Sequence, residues 1–66
     1  MKNNVKVQRA IFNLTQAELA EKIGVSRQTI NAIEAGKYVP STVLALKMAK
    51  LFEKSVNDIF ELEADD

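Results

Sequence analysis

The sequence predicts an all-α fold, five helices in a single domain spanning residues 1–66 with a short strand-like tail, and three observations predict it. Only Gly24, Gly36 and Pro40 break the chain strongly. Between them, apolar residues recur at helical spacing, as in Leu19, Ala20 and Ile23 and again in Leu44, Met48, Leu51 and Phe52. Twice, a hydroxyl residue stands three positions ahead of an acid, Thr15 with Glu18 and Ser55 with Asp58, which is the spacing of a capping box.

The elements follow in order. A first helix runs from about Val5 to Phe12 and is closed by Asn13, whose short amide tolerates the left-handed conformation of a helix end. Thr15 opens a second helix, Gly24 stops it, and Val25 packs inward. Ser26 then caps a third helix to about Ala35, so the connection is too short for anything but a sharp turn. Ala20 is small where the second helix passes close under the third. Ile30 and Ile33 mark the inner face of the third helix, with Arg27, Gln28, Asn31, Ala32 and Ala35 opposite. Gly36 ends it, Pro40 forbids continuation, and Ser41 caps a fourth helix running to about Glu53. Ser55 and Asp58 open a single turn, after which "IFELE" alternates apolar and acidic residues like a short strand.

Composition narrows the chemistry. With no cysteine and no histidine, thiolate metal ligation, cysteine nucleophiles and the usual general base are all missing. No phosphate-cradling loop or clustered carboxylate pair stands in for them, so an enzyme is not expected and neither is a cofactor or a metal. No stretch has the length of an apolar bilayer span and the start is not that of a signal peptide, so a cytoplasmic protein is expected. The net charge is zero, which taken alone argues against a nucleic-acid ligand. Its distribution qualifies that. Residues 1–37 carry six basic against three acidic side chains, and residues 38–66 carry three against six, giving a basic front and an acidic back.

A capped helix, a Gly-centred turn and a second helix with a polar outer face, at about residues 15–35, is the arrangement that seats a helix in the DNA major groove. Arginine can bond the O6 and N7 of guanine together, and glutamine the N6 and N7 of adenine, so Arg27 and Gln28 are the candidate base readers. Thr29 offers a methyl to thymine or a hydroxyl to phosphate. Asn31, further along the face, is placed at a phosphate. Lys37 and Tyr38, just past the helix, flank the groove at the sugar-phosphate chain, although a packed tyrosine fits Tyr38 equally. Ala32 and Ala35 fit either close backbone approach or plain helix propensity.

The stretch "LTQAELAEKIGVSRQTINAIEAGKYVPS" closely resembles the lambda-repressor-like (XRE, Cro and phage-repressor type) helix-turn-helix regulators, and in particular their compact single-domain members. The resemblance spans roughly 5–60 and rests on the joint spacing of Gln16, Ala20, Gly24, Ser26, Ile30, Ile33, Glu34 and Gly36. It implies a sequence-specific regulator of double-stranded DNA, with readers at Arg27 and Gln28, a phosphate contact from Gln16, and an Arg9–Glu34 ion pair tying the first helix to the third. The sequence departs from the family pattern at Gln8, where an apolar residue is common, at Ile11 and Phe12, where charges usually stand, and at Asn13 and Val43. Ile11, Val43 and Leu46 fit either ordinary exposed apolar residues or a partner surface.

One recognition helix brings too few side chains to single out a genomic site, so a homodimer on a near-palindromic operator is expected, acting as a repressor. The expected dimer surface is the tail at about 56–64, with Val56, Ile59, Phe60 and Leu62 and with the first residues joining it in a small sheet. The alternative is a protein-interaction module of the same fold, such as an antitoxin or adaptor with a small protein partner.

Overall fold

Each expected break falls where the backbone turns. In the computed structural model, which describes residues 1–66, the chain forms β1 (Lys2–Asn3), α1 (Val5–Ile11), α2 (Gln16–Ile23), α3 (Arg27–Glu34), α4 (Thr42–Phe52), α5 (Val56–Ile59) and β2 (Phe60–Glu61). Asn13 takes φ 56°, Gly24 φ 76° and Gly36 φ 74°, so one amide residue and two glycines occupy the left-handed region that ends helices. Glu53 does the same at the end of α4, also at φ 56°, without a glycine's freedom. The first, third and fourth helices are each shorter than expected by a residue or two, because Phe12, Ser26, Ala35 and Glu53 serve as caps.

Hydroxyl caps fix the starts. Thr15 Oγ1 accepts from the Glu18 amide at 3.0 Å, and the Glu18 carboxylate accepts from the Thr15 amide at 2.9 Å. Those bonds hold the Glu18 carboxyl below its ordinary pKa. Ser26 and Ser41 accept from the amides of Thr29 and Leu44, and Ser55 and Asp58 form the second box.

The core is built from the apolar face of every helix: Val5, Leu19, Ala20, Ile23, Ile30, Ile33, Leu44, Met48, Phe52, Ile59 and Phe60 are buried. Ala20 lies 3% exposed between α2 and its neighbours, in line with the need for a small residue there. Leu51, expected in the core stripe of α4, is only half-buried. Phe12, at a position the family usually gives to a charge, stacks tilted on Phe52 with ring centroids 5.7 Å apart.

The tail pairs within the chain. β1 runs antiparallel to β2 with Lys2 opposite Glu61 and Asn3 opposite Phe60, and the Asn4 amide donates to the Ile59 carbonyl at 2.9 Å. Asn3 Nδ2 donates to the Ile33 carbonyl at 2.8 Å, so the small sheet is pinned to the end of α3. This corrects the expected dimer surface: Ile59 and Phe60 are 2% and 7% exposed and already serve the core of their own chain. Val56 is half-buried, and Leu62 alone of the four stands free, at 76% exposure. The reason is that α5 is a single turn, and folding it onto α4 buries the apolar residues that the sequence presents as spare.

Candidate nucleic-acid interface

Local sequence places the interface residues. Ser26 caps α3 at the turn, so Arg27 and Gln28 begin the helix with their backbone already fixed, and both are exposed. A helix advances about 100° per residue, which brings Asn31 and Ala35 to the same side while Ile30 and Ile33, 0% and 1% exposed, face the core. Ala32 and Thr29 lie on one flank, between this row and the core, and are half-buried. The hydroxyl of Thr29 is engaged, 3.0 Å from Ser26 Oγ, which leaves its methyl as the freer group. Lys37 and Tyr38 follow the left-handed Gly36 and are exposed, Tyr38 at 47%.

Gln16 opens α2 beside this face, and its amide is held on three sides. Its Nε2 donates to Glu34 Oε1 at 3.1 Å and to Asn31 Oδ1 at 3.4 Å, while its Oε1 accepts from Arg27 Nη1 at 3.3 Å. Behind it, Arg9 Nε donates to Glu34 Oε2 at 2.7 Å and Arg9 Nη2 to Glu34 Oε1 at 3.1 Å, a bidentate pair joining α1 to α3. Arg9 Nη1 also donates to the Leu14 carbonyl at 3.0 Å. The ion pair expected between Arg9 and Glu34 is therefore present, and it extends through Gln16 to the surface.

Burial pushes the Glu34 carboxyl up, but hydrogen bonds from Arg9 and Gln16 outweigh it and hold the group below its ordinary pKa. The same pairing raises the Arg9 guanidinium. A neutralised carboxylate is compatible with a phosphate-facing surface; a bare one there would repel the ligand.

Sequence reasoning missed the links from Gln16 to Glu34 and Arg27. They join residues 18 and 11 positions apart across two helices, and no local spacing rule reports such contacts. Only the joint presence of Gln16 and Arg27 at the two helix starts hinted at them. No three potential metal ligands cluster, and no helix is long and apolar enough to cross a membrane.

A two-helix unit with a capped, exposed and polar second helix defines a helix-turn-helix protein. The sequence model of the helix-turn-helix family matches residues 5–59, and the chain belongs to that family of DNA-binding transcriptional regulators. It is 59% identical over 66 residues to an uncharacterized helix-turn-helix-type transcriptional regulator of Methanocaldococcus jannaschii, covering the whole of both chains. It is 52% identical over 65 residues to another from Bacillus subtilis, covering 98% of each. The solution structure of the SOS-response transcriptional repressor LexA from Eubacterium rectale superposes with a TM-score of 0.80 at 30% identity, covering 96% of this chain and 67% of that one. The lambda-repressor-like fold expected from the sequence is thus the fold observed.

Proposed function

We propose that the protein is a repressor that binds a near-palindromic operator as a homodimer. Arg27 and Gln28 read base edges, and Thr29 presents its methyl to a thymine. Gln16, Asn31, Lys37 and Tyr38 hold the phosphates on either side. The single observation that carries this reading is the exposed row of Arg27, Gln28 and Asn31 along α3, set beside a Gln16 amide that the fold holds in place. The likeness to LexA, a transcriptional repressor, supports the sense of regulation.

For the dimer we keep Val56 and Leu62 from the tail and extend the surface to the loop after α3 and the start of α4. There Val39 and Leu46, 61% and 56% exposed, border a shallow groove with Ala45, Val56 and Phe60. Contiguous apolar exposure on so small a domain marks an interaction surface.

The test is a binding-site selection on random duplex DNA. The intact chain should return an inverted repeat with half-site centres about 34 Å apart, and Arg27→Ala should lose preference at one position per half-site while costing about 1–3 kcal/mol. A motif without two-fold symmetry overturns the dimer. A motif unchanged by Arg27→Ala overturns the reader.

A further inference from the structure

Where the C-terminal end of α2 meets α4, an open groove of about 330 Å³ is lined by Lys22, Ile23, Lys47, Lys50 and Leu51. None of these residues comes from α3. Lys22 lies six residues beyond Gln16, roughly 9 Å along the α2 axis and about 120° around it, so the groove faces away from the phosphate-binding start of that helix. Its floor is apolar: Ile23 is 4% exposed and Leu51 half-buried. Its rim is cationic.

None of the three ammoniums is held in a close ion pair with a carboxylate. The whole of α4 contains no carboxylate, and the only side-chain ion pair of the fold is Arg9–Glu34. On α2, Glu18 stands one turn before Lys22 and feels its charge, but its carboxylate is bonded into the capping box, and Glu21 precedes Lys22 by one position, so the two diverge around the helix. Lys47 lies across the groove's end, its Nζ donating to the Ile23 carbonyl at 3.4 Å. Three like charges gathered around an apolar floor repel one another until an anion joins them.

We propose that this groove docks an acidic protein segment carrying a leucine-sized apolar residue, with its carboxylates on Lys22, Lys47 and Lys50 and its apolar side chain on Ile23 and Leu51. Charge complementarity selects an anion, and the floor selects which kind. A DNA backbone brings phosphates but no apolar group to cover Ile23 and Leu51. Reaching this groove from α3 would also require the duplex to bend sharply around a body measuring 32 × 23 × 20 Å, which carries an elastic cost. An acidic amphipathic segment satisfies both halves of the site, so the regulator would hold DNA on one face and a protein on the other.

The test is a titration of the ¹⁵N-labelled full chain with a short blocked peptide of aspartates and glutamates spaced by leucines. Saturable amide shifts at Lys22, Ile23, Lys47, Lys50 and Leu51 are expected, with Lys50→Glu weakening the peptide about tenfold at low salt and leaving the selected DNA motif unchanged. Replacing the peptide's leucines by serine should weaken it as well. Absence of saturable shifts, binding unchanged by Lys50→Glu, or a serine peptide that binds as well as its parent each overturn the proposal. It also fails if random duplex DNA moves the same amides, or if the chain alone moves them on concentration, since the groove would then belong to DNA or to a second copy.

Discussion

Removing the Arg9 guanidinium tests how α1 is held to the rest of the fold. In Arg9→Met the stem is kept and three hydrogen bonds are lost, two to Glu34 and one to the Leu14 carbonyl. The Arg9 and Glu34 side chains are 15% and 9% exposed, so the carboxylate left behind is largely out of water, with the Gln16 amide as its remaining side-chain donor and the Lys6 charge at longer range. Breaking a fully buried pair costs about 3–5 kcal/mol, and one with a partly open edge sits lower, at about 2–3 kcal/mol. The orphaned Leu14 carbonyl adds about 1 kcal/mol. The sum, about 3–4 kcal/mol, is a large part of the roughly 3–10 kcal/mol expected for a domain of this size. Urea unfolding followed by circular dichroism should show the midpoint fall with an unchanged slope. The companion double variant Arg9→Met with Glu34→Leu removes both charges and should recover most of the loss, since replacing a buried pair by apolar groups is close to neutral. If Arg9→Met costs under about 0.5 kcal/mol, a value typical of a solvated surface pair, or if the double variant is no better than the single one, the pair does not anchor α1 and the reasoning fails.

Other predictions follow from the same geometry. Because the folded Glu34 carboxyl titrates below its ordinary value, its contribution to stability is complete above the unfolded pKa of about 4.3. It is lost as pH falls through the lower folded value, so acid should unfold the wild type with a slope that Glu34→Gln flattens. Gln8 is 5% exposed and its Oε1 has no hydrogen-bond partner, so Gln8→Leu should stabilise by about 1 kcal/mol; a lower melting temperature in the variant contradicts this. A Cβ at Gly24 meets nothing within 4 Å, so Gly24→Ala should cost only the left-handed conformation, about 1 kcal/mol, and a much larger loss would point to an unrecognised clash in the turn. Gln16→Ala should weaken binding equally on operator and random DNA, measured by anisotropy, and a loss confined to the operator would remove Gln16 from the phosphate contacts.

Much of this protein is written locally. The two capping boxes, the serine caps and the left-handed breaks at Asn13, Gly24 and Gly36 each arise from residues a few positions apart, where spacing alone sets the hydrogen bond or the φ angle. The inner and outer faces of α3 were equally legible, because helical periodicity divides Ile30 and Ile33 from Arg27, Gln28 and Asn31 without reference to any other element. Tertiary structure alone decided how the apolar tail is used, since one turn of helix and two strand residues have no independent stability and bury Ile59 and Phe60 in the nearest core. It also decided that Gln16 is braced by Glu34 and that Lys22 joins Lys47 and Lys50, which the sequence counts toward opposite ends of a polarised chain. Contacts between distant residues depend on how helices cross, and a crossing is fixed by the packing of all their side chains at once rather than by any window of sequence.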